Sequence, residues 1–136
     1  MSVEFDLMRH GESVWNTEGK LQGQLPNSEN GLTEKGRAQV TASARMLVNR
    51  LQDRKVMVWS SPSPRAHETA EIIIKIFNDN KLIHLDQRVM EASHGSFEGQ
   101  TETEYQSHPH YNLSFGFDSL AAMESFVEFP SFLPHA

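Results

Sequence analysis

An arginine and a histidine stand side by side in the stretch LMRHG (residues 7–11), where an apolar run ends in a glycine turn. A guanidinium such as that of Arg9 binds phosphate by donating two parallel hydrogen bonds to its oxygens. A neutral imidazole can attack phosphorus when a hydrogen bond at its other nitrogen fixes the tautomer. Gly11 leaves room for a ligand against the backbone. Taken alone, such a dipeptide is more often a surface arginine beside a structural histidine, so the context of His10 decides its interpretation.

The spacing of apolar residues predicts the elements that position these groups. Val3, Phe5 and Leu7 alternate with acids, which predicts a strand ending near Met8. Residues 16–32 are rich in Gly, Asn and Pro and predict a long loop. The chain then predicts, in order, a helix with Thr33 as its N-cap, a buried apolar strand at Val56–Trp59, a second helix after the turn at residues 60–64, and a weaker strand at Leu82–Leu85.

This alternation of strands and helices is typical of an α/β sheet. Functional groups in such sheets gather beyond the carboxyl ends of the strands, a place that both His10 and the turn at residues 60–65 occupy. We therefore expect His10 and Arg65 to converge. Further along, Thr101 and Glu104 form a capping-box pattern, and apolar residues at 120–127 favour another short helix.

Composition excludes several functional classes. Without cysteine, thiolate catalysis and zinc–cysteine sites are ruled out, and no window has the length of apolar sequence that a membrane helix needs. All twelve Lys and Arg lie in residues 1–88, whereas residues 89–136 hold seven acids and no Lys or Arg, and five of the eight Phe fall between Phe115 and Phe132. A surface that binds nucleic acid needs clustered Lys and Arg side chains, so we do not expect one here. We expect a cytoplasmic protein without a leader peptide, large enough for one domain, that contacts neither nucleic acid nor membrane.

Three ordered blocks of sequence resemble the signature of the histidine phosphatase superfamily, which includes the cofactor-dependent phosphoglycerate mutases. They are LMRHGESVWNTEGKLQG at residues 7–23, SSPSPRAHETA at 60–70 and EASHGSFEG at 91–99. The resemblance implies a three-layer αβα, phosphoglycerate mutase-like sheet with helices on both faces. It implies a single domain over residues 1–136, in which 1–100 match the family well and 101–136 form a divergent tail.

The resemblance also implies a role for each candidate site residue. His10 matches the nucleophile that becomes phosphohistidine, and Glu91 matches the acid that protonates the leaving oxygen. The binding residues would be Arg9, Arg65 and Asn16 for the phosphate, and Gln22, Gly23 and His94 for the substrate. Such a set supplies charge neutralisation, in-line positioning and a proton, so phosphoryl transfer needs neither metal nor cofactor. Glu91 must then be protonated part of the time, which requires burial or a nearby phosphate to raise its pKa.

The family's second histidine, which donates to the same phosphate from a late strand, has no counterpart in these blocks. His94 lies inside the acid block, and His108, His110 and His135 follow no apolar strand. The strand and helix that carry the missing histidine belong in the middle of the family's sheet. We therefore expect a sheet that is incomplete at its C-terminal end, and this edge, with the late Phe residues, favours a homo-oligomer.

Three functions stay open at this point. The first is a phosphomonoester phosphatase acting on a small phosphorylated substrate, with activity reduced by the missing histidine; the loop at residues 18–39 resembles the phosphatase branch. The second is mutase-type phosphoryl transfer, although segments that would shield the phosphoenzyme from water are not evident. The third is a non-catalytic module that binds phosphate or a partner through Arg9, Arg65 and Asn16.

Overall fold

A computed structural model of the chain describes residues 3–26, 29–77 and 82–107. Its helices are α1 (Val14–Thr17), α2 (Glu34–Leu51), α3 (Pro64–Ile76) and α4 (Glu102–Gln106). Its strands are β1 (Val58–Ser60) and β2 (Ile83–Leu85), and short 3-10 turns occur at Gln87–Val89 and Gly95–Phe97. Within the described ranges, none of the helices has the length and apolar character needed to span a bilayer.

The described residues fall into two compact units. The first comprises those between 1 and 17 and between 26 and 90, and the second those between 18 and 25 and from 91 onward. The single domain expected over residues 1–136 stays a prediction. The helix predicted within 120–127 lies outside the described residues, as do His108, His110 and His135.

In the first unit, α2 begins where the sequence predicts. The Thr33 hydroxyl accepts a hydrogen bond from the Gly36 amide at 3.0 Å, so one of the open amides of the first helical turn is satisfied. The core of the unit joins the buried face of α2 to a residue before it and one from α3: Leu32, Val40, Ala44 and Ile73. Packing of α2 against α3 therefore forms the hydrophobic centre of this unit.

The two strands confirm the predicted α/β class. β1 and β2 pair in parallel, with Val58 opposite Ile83, and α3 lies between them in the chain. A helical crossover of this kind is how parallel neighbours are connected. The predicted burial of the first of these strands is wrong, because Trp59 is 54% exposed and stacks on His84 of β2, with ring centroids 4.8 Å apart.

The predicted strand at residues 3–8 is also wrong, since none of the described residues 3–10 is in a strand. Glu4 instead bonds Arg50 of α2 at 2.6 Å, and Asp6 pairs with the same guanidinium. The alternation of apolar and acidic residues suits a strand, but a strand forms only in a hydrogen-bonded ladder, and no described strand pairs with this segment. The apolar side chains of this segment are largely exposed to solvent: Val3 (77%), Phe5 (72%) and Leu7 (83%).

Gly11 is required by the close approach of α2. A Cβ atom at Gly11 would lie 2.5 Å from the carbonyl oxygen of Gly36 and 2.8 Å from a methyl group of Val40. In return, a Cβ atom at Gly36 would lie 2.1 Å from the carbonyl oxygen of Glu12. The close neighbour of Gly11 is therefore a helix backbone and not the ligand predicted from the sequence.

We expect Gly11→Ala to destabilise the fold by about 1–3 kcal/mol, because backbone atoms cannot move aside without disturbing α2. Gly31→Ala is the matched control, since the nearest atom to its new methyl group would be the flexible end of Glu68 at 3.1 Å. Urea unfolding of both variants measures the difference. Equal losses of stability at the two positions would contradict this account of Gly11.

Candidate active site

The His10 ring is held at both nitrogens. Its Nδ1 lies 2.7 Å from the carbonyl oxygen of Gly11, and its Nε2 lies 3.2 Å from Nε of Arg65, although Arg65 is 55 residues away in the chain. A carbonyl can only accept a hydrogen bond and a guanidinium can only donate one, so Nδ1 carries the proton and Nε2 the lone pair. The predicted convergence of His10 and Arg65 is confirmed, and the ring is in the tautomer that a nucleophile at Nε2 needs.

The surroundings of His10 keep its imidazole neutral. Burial lowers its pKa from 6.5 to about 4, and the charges of Arg65 and Arg9 act in the same direction, while the hydrogen bond to Gly11 opposes them. Positive neighbours disfavour a further positive charge on the ring. The site at neutral pH is thus an uncharged nitrogen lone pair beside arginine side chains, which suits an incoming anion.

Arg65 is fixed by the start of α3. It follows Pro64 in the first helical turn and is 4% exposed, although it is a cation. Thr69, one helical turn further on, donates its hydroxyl hydrogen to the Arg65 carbonyl at 2.8 Å. The same hydroxyl accepts a hydrogen bond from the Gly11 amide at 3.3 Å. Thr69 was not predicted as a site residue, although its place four residues after Arg65 on one helical face could have indicated it.

The other two predicted phosphate ligands have different surroundings. Arg9 is exposed, and its charge is close enough to contribute to the lowered pKa of His10. Asn16 lies on α1, where its Oδ1 accepts hydrogen bonds from the amide and the hydroxyl of Ser13 at 2.9 and 3.0 Å. That oxygen therefore stabilises the first turn of α1. The roles of Arg9 and Asn16 in phosphate binding stay predictions.

The second unit contains the four remaining site residues: Gln22, Gly23, Glu91 and His94. The Gln24 side chain donates to the carbonyl oxygen of Glu91 at 2.8 Å, which joins the first stretch of this unit to the second. The carboxylate of Glu98 accepts a hydrogen bond from the backbone amide of His94 at 2.8 Å. Glu98 was not predicted as a site residue, although its place beside a glycine in the third block was a signal. The roles of these four residues also stay predictions.

No group of three His, Cys, Asp or Glu side chains could hold a metal ion within the part of the chain that the structure describes.

Comparison with known proteins identifies the family. The profile of the histidine phosphatase superfamily (branch 1) matches residues 5–130. The chain therefore belongs to the histidine phosphatase superfamily, as the three sequence blocks predict.

Relatives of the chain include phosphatases and mutases. It is 42% identical over 73 residues to a metal-independent phosphoserine phosphatase of Arabidopsis thaliana, a match covering 54% of this chain and 29% of the relative. It is 40% identical over 99 residues to a 2,3-bisphosphoglycerate-dependent phosphoglycerate mutase of Thermoplasma acidophilum, covering 73% and 46%. The solved structure of a mycobacterial glucosyl-3-phosphoglycerate phosphatase matches with a TM-score of 0.63 at 28% identity, covering 76% and 48%. The chain spans less than half the length of each of these proteins.

The lowered pKa of His10 predicts how stability depends on pH. Between pH 6.5 and about pH 4, the unfolded chain binds a proton at His10 that the native chain does not bind. The contribution of His10 to the free energy of unfolding should therefore decrease as the pH falls through this window and level off below it. His10→Gln removes this contribution, so the variant should lose less stability than the wild type between pH 7 and pH 4 in phosphate-free urea unfolding. Parallel pH profiles for the two proteins would count against a depressed pKa.

Thr69 tests the link between the histidine loop and α3. Thr69→Val keeps the shape of the side chain but leaves the Gly11 amide without this acceptor, which should reduce stability by about 1–3 kcal/mol. The pKa of His10, followed by NMR, should move up towards its ordinary value as the ring loosens. Thr69→Ser retains the hydroxyl and should restore the wild-type pKa. A wild-type His10 pKa in Thr69→Val would show that the link does not position the ring.

Proposed function

We propose that this chain is a phosphomonoester phosphatase that works through a phosphohistidine at His10. The observation that carries the proposal is the hydrogen bond from Nε of Arg65 to Nε2 of His10, with Nδ1 held by the Gly11 carbonyl. A lone pair of fixed direction, next to a guanidinium, is what in-line attack on a phosphoryl group requires. Several relatives in the same family are named as phosphatases, which supports hydrolysis as the outcome.

In the proposed reaction, the phosphate of the substrate takes over the hydrogen bond from Arg65 and so frees Nε2. Nε2 forms a bond to phosphorus as the ester P–O bond breaks, and Glu91 gives a proton to the leaving oxygen. Water then attacks the phosphoryl group and gives its proton to Glu91, the N–P bond breaks, and neutral His10 and inorganic phosphate result. The arginine charges stabilise the charge that develops on the phosphoryl oxygens.

Phosphate binding without turnover is the second candidate, and it is favoured by the contacts of the other histidines in the first unit. His67 faces Glu71 across one turn of α3 at 3.9 Å, and His84 stacks on Trp59. Neither contact assigns His67 or His84 the role of the second phosphate donor that the family resemblance implies. Ground-state affinity and transition-state stabilisation are separable, so the pocket could bind phosphate while hydrolysis is slow.

The substrate class, cofactor requirement, location and oligomeric state proposed here are those predicted from the sequence. The substrate is a small phosphorylated molecule, and the chemistry requires no metal or cofactor, because the protein supplies the nucleophile, the positive charge and the proton. A cytoplasmic location fits the lack of cysteine. Association into a homo-oligomer is proposed on account of the exposed apolar residues at the start of the chain: Val3, Phe5 and Leu7.

Hydrolysis of 4-nitrophenyl phosphate tests the function. If the second histidine is missing from the site, we expect turnover roughly 10²–10³ below that of a family member whose site contains both histidines. His10→Asn should abolish turnover. It should also abolish the acid-labile phosphoenzyme that forms when the wild type reacts with substrate labelled on its phosphate. His67→Asn, on the outer face of α3, is the control and should match the wild type. Phosphohistidine catalysis would be refuted if the wild type carried no labelled phosphate after reaction, or if His10→Asn were fully active.

Phosphate binding can be measured separately from turnover. Millimolar inorganic phosphate should raise the melting temperature of the wild type, because a ligand that binds only the native state stabilises it. The gain should persist in His10→Asn and disappear in Arg65→Lys, which keeps the charge but loses the donor at Nε. An equal gain in Arg65→Lys would place the phosphate elsewhere.

A further inference from the structure

Four hydrogen bonds converge on the carboxylate of Glu98 in the second unit. Its Oε1 accepts from the backbone amide of Gln24 at 3.0 Å, from the amide of His94 at 2.8 Å and from the Ser93 hydroxyl at 3.3 Å. Its Oε2 accepts from the amide of Leu25 at 2.6 Å. The donors come from two stretches of chain that are far apart in sequence, so this one side chain holds both stretches together.

We propose that Glu98 is a positioning residue for the substrate, which holds the loop of residues 22–25 and the segment of residues 91–94 together as one wall. This wall carries the predicted substrate-facing residues and the predicted acid: Gln22, Gly23, His94 and Glu91. The inference rests on the proposed function, because the wall has a purpose only if an organic phosphate binds there. Glu98 itself acts through the backbone of this wall and takes no part in the chemical step.

The packing at Gly23 supports the proposal. A Cβ atom at Gly23 would lie 2.2 Å from Oε1 of Glu98 and 2.5 Å from its carboxyl carbon. The loop backbone therefore lies directly on the carboxylate, and only glycine allows this approach. Beyond Gly23, the Gln24 side chain reaches the carbonyl oxygen of Glu91 at 2.8 Å. The same loop thus fixes the backbone of the predicted acid.

The charge of Glu98 strengthens these contacts. Burial raises the pKa of this half-buried carboxyl group, but the amides of Gln24, His94 and Leu25 and the Ser93 hydroxyl outweigh it, so the pKa lies below its usual value. Glu98 is therefore ionised at neutral pH, and hydrogen bonds to an ionised acceptor are stronger than those to a neutral one. A neutral isostere should hold the wall less firmly.

Glu98→Gln changes this contact with almost no change in shape. An amide oxygen at the Oε1 position can still accept from Gln24, His94 and Ser93, but the amide nitrogen would face the N–H of Leu25 and lose that hydrogen bond. The matched control is Glu104→Gln. Glu104 also accepts a backbone hydrogen bond, from Thr101 at 2.6 Å, but it caps α4.

The test compares two probes, inorganic phosphate and phosphoserine, by calorimetry on the complete chain. The affinity for inorganic phosphate should depend on His10 and Arg65 alone, whereas the affinity for phosphoserine should also depend on the wall. We expect Glu98→Gln to weaken phosphoserine binding about tenfold and to leave inorganic phosphate unchanged. Where turnover is measurable, KM for phosphoserine should rise more than kcat falls. Glu104→Gln should match the wild type for both probes, and Gly23→Ala should reproduce Glu98→Gln without adding to it in the double variant.

Amide hydrogen exchange checks the contact itself. Exchange at Leu25 should accelerate in Glu98→Gln, while Leu21, whose amide bonds the Gln100 carbonyl at 2.9 Å, should stay protected. Faster exchange with unchanged phosphoserine affinity would overturn the positioning role and leave Glu98 as part of the fold. Unchanged exchange would overturn the contact. A wild type that binds neither probe would refute the proposed function and this inference with it, whereas a wild type that binds phosphate but whose phosphoserine affinity ignores Glu98 would refute the inference alone.

Discussion

The hydrogen bond between Arg65 and His10 is the interaction on which the geometry of the first unit depends. Burying a guanidinium is unfavourable unless its donors find acceptors, and Arg65 is 4% exposed. The imidazole can accept from it only while Nε2 is unprotonated. The lowered pKa of His10 maintains that state at neutral pH, and the Gly11 carbonyl fixes the proton on the other nitrogen. The buried cation, the tautomer and the charge of the ring therefore require one another, and a protonated His10 would face Arg65 with like charge.

The backbone around this pair is arranged to keep the ring in place. Gly11 lets the histidine loop approach α2 more closely than any side chain would permit, and Gly36 does the same from the helix. On the other side, the Thr69 hydroxyl accepts a hydrogen bond from the Gly11 amide and donates one to the carbonyl oxygen of Arg65. The loop is thus held between two helices whose own packing forms the core. A packed interior is rigid, so these contacts fix the position of the ring.

Local signals in the sequence predicted the elements that depend on local contacts. α2 follows from the cap at Thr33 and an apolar helical face, and α4 follows from the capping box of Thr101 and Glu104, whose hydrogen bonds all lie within a few residues. The strand predicted at residues 3–8 is not formed, because a ladder needs a neighbour that alternation along one segment does not specify. In the site, residue type and the family resemblance identified His10 and Arg65. Thr69 and Glu98 were missed, because their importance comes from partners on other stretches of the chain, which spacing alone does not reveal.

The proposed function divides recognition between two kinds of chemistry. In the first unit, an uncharged imidazole and arginine side chains offer lone pair, donors and positive charge, which suit the phosphoryl group that every phosphomonoester shares. In the second unit, the ionised carboxylate of Glu98 joins the backbone of residues 24–25 to that of residue 94. The relatives act, by their names, on phosphoserine, phosphoglycerate or glucosyl-3-phosphoglycerate, which share the phosphate and differ elsewhere. Glu98 is held by contacts within the second unit, whereas the pKa and the tautomer of His10 are set by contacts within the first.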